Sequence, residues 1–173
     1  MDTKRVMKLA LSIGVVGFFC LISSCWYYKF SGTSIPPSVQ TVSIAYIENK
    51  AQIVNPALSN LITEKLKEKY RKMTRLTFVD EDGDFSFEGE ITGYDSSTTG
   101  FTADEVGALN RLTVTVKIYF KNAKEAGKDF EKSFSKFRDF PSDQSLDSVE
   151  SRLVDEIVDE LIEDIFNATA ADW

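Results

Sequence analysis

The sequence contains no histidine and only two cysteines, Cys20 and Cys25, both close to the N-terminus. Without histidine, the chain lacks the side chain most often used near neutral pH as a general base, proton shuttle or metal ligand. No thiol follows Cys25, so the rest of the chain can form neither a cysteine nucleophile site nor a disulfide framework. The sequence also has no glycine-rich phosphate loop and no cysteine–histidine metal spacing. We therefore predict a protein that is not an enzyme and that holds no metal or other cofactor.

The longest hydrophobic run, Leu9 to Ile22, has 14 residues and follows three basic residues among the first eight. A helix that spans a bilayer needs about 20 apolar residues, whereas this arrangement is typical of a signal peptide. The run leads into Leu-Ile-Ser-Ser-Cys, which matches a bacterial lipobox. We predict that residues 1–24 are removed as a lipoprotein signal peptide and that Cys25 carries a lipid anchor. The alternative interpretation is an N-terminal membrane-anchor helix.

Acidic residues exceed basic ones, 27 against 20, which gives a net charge of −7. Removal of residues 1–24 takes away three basic residues and one acidic residue, so the mature chain has a net charge of −9. This balance excludes net attraction to nucleic acid or to an anionic surface, so an anionic ligand requires a local basic cluster. The mature length is enough for one domain with its own core, which we assign to residues 39–173.

Residues 25–38 are predicted to form a lead-in between the anchor and this domain. Trp26 to Phe30 are mostly aromatic. Such side chains are typical of a membrane–water interface, and they would equally suit a strand edge that packs on the domain. Gly32, Pro36 and Pro37 then indicate a short, stiff connection.

Alternating apolar and polar residues predict several strands. Val39 to Ile47 is the first, with Val42, Ile44 and Tyr46 on one face, and Leu76 to Val79 is a short second strand. Two longer strands have clear apolar faces, formed by Phe85, Phe87, Gly89, Ile91 and Gly93 in one and by Leu112, Val114, Val116, Ile118 and Phe120 in the other. Strands with one apolar face are typical of an antiparallel sheet that is covered on one side.

A further strand is predicted over Asp129 to Phe140. Phe130 and Phe134 fall on one face, and Phe137 breaks their parity. A β-bulge would explain the break, because it inserts one extra residue into a strand.

Two helices are predicted from apolar residues at helical spacing. Asn55 and Pro56 provide an N-cap and a first position for a helix that extends to Met73, and Ser145 can cap the second helix. Their apolar stripes are Leu58, Leu61, Ile62, Leu66, Tyr70 and Met73, and Leu146, Val149, Leu153, Ile157, Leu161 and Ile165. The outer face of the second helix is acidic, which we interpret as solvated surface in preference to a partner-binding face. Its first turn also carries Ser148 in an Asp-Ser-Val stretch, a pattern that fits O-glycosylation acceptors of some envelope proteins.

Asp80 to Asp84 contains four acidic residues around Gly83. The spacing does not supply the glutamate that ends a 12-residue calcium loop. We therefore interpret this stretch as a solvated hairpin turn.

Asp95 to Asn110 is rich in small and polar residues and carries Phe101, Val106 and Leu109. Long loops without structure of their own are uncommon in compact domains and are often functional. We predict that this segment is a loop that contacts a partner. The alternative is a long hairpin whose strands extend further than their pattern shows.

Six basic residues crowd the end of the first predicted helix, Lys65, Lys67, Lys69, Arg71, Lys72 and Arg75. Cations at a helix C-terminus complement the helix dipole, which accounts for part of this cluster. It is also the only basic cluster of the mature chain. We therefore predict that it contacts the phosphate groups of a lipid or an acidic partner.

Seven stretches between Cys25 and Trp173 together resemble the LptE family of lipopolysaccharide-assembly lipoproteins, in the form found in one large Gram-negative lineage. They are YKFSGTSIP (28–36), NPALS leading into EKLK (55–67), TRLTFVD (74–80), FEGEITGY (87–94), RLTVTVK (111–117), DFEKSFS (129–135) and IFNATAADW (165–173).

The resemblance implies an α+β fold, a two-layer sandwich with two helices on one face of a mostly antiparallel sheet of four to five strands. It implies an outer-membrane lipoprotein, anchored at the periplasmic face, that plugs and helps assemble the LptD-type β-barrel which delivers lipopolysaccharide. It also implies lipopolysaccharide as a ligand, with the basic cluster as the candidate contact and the segment around Phe101, Val106 and Leu109 as the candidate barrel contact. The alternative function is a periplasmic-facing lipid-binding lipoprotein that acts without a barrel.

Overall fold

The computed structural model describes residues 35–101 and 108–171. The predicted signal peptide, Cys25, most of the lead-in and Val106 lie outside these residues. Neither helix of the described chain combines the length and the hydrophobicity that crossing a membrane requires.

The described residues form six strands, two helices and a final π-helical turn. In chain order these are β1 (Thr41–Ile44), β2 (Glu48–Asn49), α1 (Leu58–Met73), β3 (Thr77–Phe78), β4 (Phe85–Phe101), β5 (Ala108–Asn122), β6 (Phe130–Pro141), α2 (Leu146–Phe166) and the turn Asn167–Ala171.

The strands make one sheet in the order β3-β1-β4-β5-β6, with β2 also paired to β4. β1 lies parallel to both β3 and β4, and β2 lies parallel to β4, whereas β4, β5 and β6 are antiparallel. The sheet is therefore mixed and six-stranded, which corrects the prediction of a mostly antiparallel sheet of four to five strands. The parallel pairing of β1 and β3 arises because α1 returns the chain to the end at which β1 starts.

β5 provides the centre of the core. Its apolar residues Leu112, Val114, Val116, Ile118 and Phe120 are at most 3% exposed. Both helices cover this face: the ring of Tyr70 in α1 lies 5.1 Å from that of Phe87, and α2 contacts the same side of β6. The predicted two-layer arrangement of helices on one face of a sheet is therefore present.

β4 changes register against β5 at two residues, Thr92 and Thr99, and the first change affects its apolar face. Ile91 pairs with Val116 and Gly93 pairs with Thr115, so that Thr92 is an extra residue. After this bulge Tyr94 is buried and Gly93 lies on the opposite face, so the prediction that Gly93 continues the apolar face is wrong.

β6 has no such irregularity. It pairs with β5 in one continuous register from Phe130 to Pro141. Phe134 and Phe140 face the helices and are buried, while Phe137 faces away and is 46% exposed. The predicted bulge in this strand is therefore wrong, and Phe137 is a surface residue.

The first predicted strand is shorter than expected. β1 ends at Ile44, and the backbone N–H of Ile47 donates to Oγ1 of Thr63 in α1 at 3.1 Å. This irregular step buries Ile47 and leaves Tyr46 58% exposed, so the prediction that Tyr46 shares the buried face is wrong.

Both helices lie where the apolar spacing predicts them. α1 starts at Leu58, two residues after the predicted Pro56, so Asn55 is not its N-cap; Oδ1 of Asn55 instead accepts the N–H of Ala57 at 3.0 Å in the turn before the helix. The stripe is fully buried at Leu58, Ile62, Leu66 and Tyr70, whereas its last member, Met73, is 45% exposed. At the start of α2, Oγ of the exposed Ser148 donates to the carbonyl oxygen of Ser145 at 2.7 Å.

The segment from Asp80 to Asp84 is not a hairpin turn. It joins β3 to β4, which lie on opposite sides of β1, so it crosses β1. Gly83 lies against the β1 backbone, where an added Cβ would be 2.5 Å from the nitrogen of Ser43. Only glycine fits there, because any side chain would collide with backbone.

Asp84 links the segment that crosses β1 to the start of that strand through hydrogen bonds. Its carboxylate accepts the backbone N–H groups of Gln40 at 2.7 Å and Thr41 at 3.1 Å, and Lys124 Nζ lies 3.0 Å away. The hydrogen bond from Gln40 is the main cause that lowers the pKa of Asp84 to about 2, and Lys124 adds to it. The carboxylate is therefore stabilised in its charged form by the folded state.

We expect Asp84→Asn to destabilise the fold by about 2 kcal/mol at pH 7, because it removes a charged acceptor of two backbone N–H groups. The folded pKa of Asp84 lies below the unfolded value of about 3.9, so its contribution is present above pH 4 and is lost towards pH 2. Urea unfolding at pH 7, 4 and 2.5 should therefore show the two proteins converging in stability as the pH falls.

The matched control is Asp82→Asn, in the same segment. Asp82 is exposed and has a φ of 53°, a conformation that asparagine tolerates well. A stability loss in this control as large as that of Asp84→Asn would contradict the assigned role of Asp84.

Candidate functional site

Two cations of the predicted basic cluster lie between the helices. Lys65 Nζ is 2.7 Å from Oδ1 of Asp155 and 2.6 Å from Oδ1 of Asp159, and Lys69 pairs with Glu163. Partial burial opposes the charged form of Lys65, but the bonds to Asp155 and Asp159 outweigh it and raise its pKa. These two side chains therefore form ion pairs between α1 and α2.

Two further cations pair within α1. Lys67 Nζ lies 3.4 Å from Oε1 of Glu64, and Lys72 pairs with Glu68 one turn earlier. Lys72 remains 69% exposed, whereas Lys67 is 27% exposed. Exposed pairs at this spacing contribute little to stability, so both lysines can exchange partners at low cost.

Arg71 and Arg75 occupy the C-terminal end of α1 and the residues just after it. The guanidinium of Arg71 lies 4.8 Å from the ring centroid of Phe78 in β3, and both arginines are exposed. With the exposed Met73, they form a surface at the end of the helix, whereas Lys72 lines the groove between the helices together with Lys65, Lys69 and Asp159. The structure therefore divides the predicted cluster into an interhelical part and a terminal part.

The acidic outer face of α2 is also partly occupied by β6. Arg138 Nε lies 3.1 Å from Oε2 of Glu156 and its other end pairs with Glu160, while Lys136 Nζ lies 2.8 Å from Oδ2 of Asp164. The Arg138 guanidinium holds the pKa of Glu160 below its ordinary value. The α2 carboxylates in these pairs and in those with α1 are still 40–66% exposed, so the acidic face is solvated, as predicted, and it is also paired with cations of α1 and β6.

The ion pairs of Lys136 and Arg138 with α2 were not predicted from the sequence. Their place in the strand could have indicated these ion pairs. Lys136 and Arg138 alternate along β6 in step with Phe134 and Phe140, so all four side chains lie on the face that the helices cover. Charged residues at buried-face positions of an edge strand indicate ion pairs with the covering helix.

Most of the predicted loop from Asp95 to Asn110 is strand. β4 extends to Phe101 and β5 starts at Ala108, which confirms the alternative of a long hairpin. Beyond Ile91, β4 pairs only with β5 within the described chain, so the other edge of β4 is open there. Leu109 is half-buried in the hairpin.

The base of the hairpin is joined to both helices at their N-terminal ends. The hydroxyl of Tyr94 donates to Oε1 of Glu150 in α2, and Nδ2 of Asn55 donates to the same oxygen at 3.1 Å. Burial and the neighbouring carboxylate raise the pKa of Tyr94 to about 12, so its hydroxyl remains a donor at neutral pH. The hairpin therefore leaves the domain from a fixed base.

The face of the sheet opposite the helices is polar. Arg111 forms two hydrogen bonds with Asp139, at 2.7 and 2.9 Å, and its guanidinium lies 3.6 Å from the ring centroid of Phe137. Beside them, the hydroxyls of Thr115 and Ser135 are 2.9 Å apart. This face is suited to contact with a polar partner or with water.

These features define a two-layer α+β domain with a projecting hairpin, in which cations of α1 and β6 pair with the acidic helix α2. The family model described as "LptE: Lipopolysaccharide-assembly" matches residues 39–169. The chain therefore belongs to the LptE family, as the resemblance predicted. This is a non-enzymatic, outer-membrane-associated family of lipopolysaccharide-assembly lipoproteins.

Solved structures show similarity at low sequence identity. A minor lipoprotein from Acinetobacter baumannii is 12% identical, with a TM-score of 0.49, over 74% of this chain and 90% of that one. The rare lipoprotein B from Shewanella oneidensis is 12% identical, with a TM-score of 0.47, over 73% of this chain and 93% of that one. A lipoprotein B from Nitrosomonas europaea is 15% identical, with a TM-score of 0.47, over 73% and 79%. No curated protein matches the sequence.

The contacts of α2 lead to a prediction about Arg138. We expect Arg138→Ala to destabilise the fold by about 1 kcal/mol at low salt, because it leaves Glu160 without its cation and weakens the contact with Glu156. Urea unfolding at 0.05 M and 1 M sodium chloride would measure the loss, which should shrink at high salt.

Arg152→Ala is the matched control, since Arg152 pairs with the same Glu156 but lies within α2 and is 60% exposed. It should change stability less than Arg138→Ala does. Equal losses in the two variants would show that the link between β6 and α2 is not what Arg138 provides.

Proposed function

We propose that this protein is the lipoprotein subunit of an outer-membrane lipopolysaccharide translocon. Anchored through Cys25 at the periplasmic face, it plugs an LptD-type β-barrel and supports its assembly. The observation that carries the proposal is membership of the LptE family over residues 39–169. The anchor makes association with a neighbouring barrel effectively intramolecular, which raises the local concentration of the two partners.

The hairpin of β4 and β5 supports a contact with the barrel. β4 has 17 residues and is therefore about 55 Å long. α1, with 16 residues, is only about 24 Å long. Ser96, Ser97, Thr98 and Thr99 are exposed, and the β4 edge beside them has no partner strand among residues 35–101 and 108–171. An open strand edge offers backbone hydrogen bonds to a partner strand, and a β-barrel consists of strands.

The first test concerns the anchor. We expect Cys25→Ala in the full-length chain to leave a folded domain that is no longer recovered with outer membranes, because the acyl chains that hold it there are absent. Less assembled barrel should accompany the loss. Fractionation and immunoblotting would measure both, with Cys20→Ala as the matched control that retains membrane recovery.

Unchanged recovery of Cys25→Ala with outer membranes would contradict lipidation at this residue. Mass spectrometry of the unmodified protein tests the alternative of an N-terminal membrane helix, because that helix would leave residues 1–24 attached and Cys25 without acyl chains.

The second test concerns the hairpin. We expect full-length protein with Ser96→Lys and Ser97→Lys to copurify severalfold less barrel from detergent-solubilised outer membranes, since both side chains are exposed and lie on opposite faces of β4. Ser151→Lys on the exposed side of α2 is the control for added charge.

Copurification of a large barrel with the unmodified protein, and its loss with the hairpin variant only, would support the proposal. If no barrel copurifies with the unmodified protein, the alternative of a lipid-binding lipoprotein without a barrel partner is favoured. Equal recovery of barrel with all three proteins would exclude the hairpin as the contact.

A further inference from the structure

The side of β4 that faces away from β5 loses its partner strand after Ile91. β2 pairs with β4 no further than this residue, and the backbone N–H of Lys50 then donates to the carbonyl oxygen of Ile91 at 2.9 Å. Beyond that point, residues 35–101 and 108–171 contain no further strand on this side of β4. We call this side of residues 92–99 the open β4 edge.

The backbone groups of every second residue point outwards from the open β4 edge. Ile91 directs its carbonyl oxygen away from β5, and its buried side chain faces the helices. The face that a side chain takes and the direction of its backbone groups alternate together along a strand. Beyond the bulge the next helix-facing residue is the buried Tyr94. Ser96 and Thr98 therefore direct their N–H and C=O groups outwards, while the residues between them bond to β5.

The two long free edges of the sheet differ in their protection against further strand pairing. β6 also has an outer edge without a partner in the described part of the chain, and five of its 12 residues are charged. Charged side chains on an edge oppose pairing with another strand. The open β4 edge has one charged residue, Asp95, and no proline. It is therefore the edge better suited to receive a strand.

An exposed apolar pair lies beside the start of the open β4 edge. Ile53 and Val54 are each 57% exposed and follow shortly after β2. Asn55, the next residue, donates to the same oxygen of Glu150 as the hydroxyl of Tyr94 does. The pair therefore lies on the helix side of the sheet, where a strand added to β4 would cover it. An apolar side chain on that side of the added strand would complement the pair.

The strands of a closed barrel wall are not available for this pairing, because each is already bonded to a neighbour on both sides. A strand added to the open β4 edge has to come from a part of the barrel protein outside the wall. Such a segment is extended and has unpaired backbone groups, as in other cases where a peptide adds a strand to a sheet.

We propose that an extended segment of the barrel protein, from outside its wall, adds a strand to the open β4 edge in the assembled complex. It bonds to the backbone of Ser96 and Thr98, and one of its apolar side chains covers Ile53 and Val54. This inference rests on the proposed function, which brings the hairpin into contact with the barrel protein.

Hydrogen exchange tests the backbone contact. We compare the complex that full-length lipoprotein forms in detergent with the same lipoprotein purified without the barrel. Exchange at the N–H groups of Ser96 and Thr98 should be about tenfold slower or more in the complex, because each gains an acceptor. Residue-resolved mass spectrometry measures this change. Ser133 is the internal control, since its partner Lys117 bonds to β4 and its own N–H therefore points outwards from β6.

A proline on each edge separates the two sides of the sheet. Ser96→Pro removes one outward N–H and keeps the bonds of β4 to β5, because a strand tolerates proline where its N–H faces solvent. We expect severalfold less barrel to copurify with this full-length variant. Ser133→Pro makes the same change at an exposed site on β6 and should retain the barrel. Equal urea midpoints of the two variants would exclude misfolding as the cause.

A photocrosslink identifies the segment itself. Val54→p-benzoylphenylalanine in the full-length chain is irradiated in intact cells, and the crosslinked peptide is sequenced by mass spectrometry. We expect a peptide of the barrel protein that contains apolar residues and lies outside the wall strands. Lys128→p-benzoylphenylalanine, at an exposed site between β5 and β6, is the control and should not capture that peptide.

Each outcome supports or overturns the inference. A crosslink from position 54 to a wall strand, to residues 26–34 of this chain or to lipopolysaccharide overturns it, and so does the absence of any crosslink. Unchanged exchange at Ser96 and Thr98 in a complex that contains the barrel overturns the inference and leaves the proposed function intact. If no barrel copurifies with the unmodified protein, the proposed function fails and the inference fails with it.

Discussion

The apolar face of β5 is the constraint on which the rest of the structure depends. Its five large apolar side chains, from Leu112 to Phe120, are almost completely buried, and burying each contributes about 1.5–3 kcal/mol. Both helices cover this face together, parallel to each other, and the sheet has its polar side chains on the opposite face. The ion pairs of α2 with α1 and β6 follow from that arrangement.

One consequence concerns the acidic helix α2. Because it packs between α1 and β6, it receives Lys65 and Lys69 from one side and Lys136 and Arg138 from the other. The many carboxylates of α2 are thereby paired with cations of α1 and β6, two elements that are distant from each other in sequence. The exposed cations that remain at the end of α1 are those closest to the start of the domain.

Periodicity predicted both helices and the long strands, because burial of one face imposes a period of 3.6 or 2 residues on the apolar side chains. The same patterns could not indicate the bulge at Thr92, since Gly93 and Tyr94 each suit either face. Nor could they show that Asp80 to Asp84 crosses β1, because a glycine among acids is equally common in a hairpin turn. The contact of Gly83 with the backbone of Ser43 decides that question.

The sequence by itself determined the family of the protein: the stretches that resemble the LptE family are each local in the chain, and the family model matches residues 39–169. Only the tertiary structure decided how the six cations from Lys65 to Arg75 are divided. Residues three or four apart lie on one side of a helix, but which side meets α2 depends on packing against a segment some 90 residues later. Parallel pairing of β1 with β3 likewise depends on the path of α1, which the short strands do not encode.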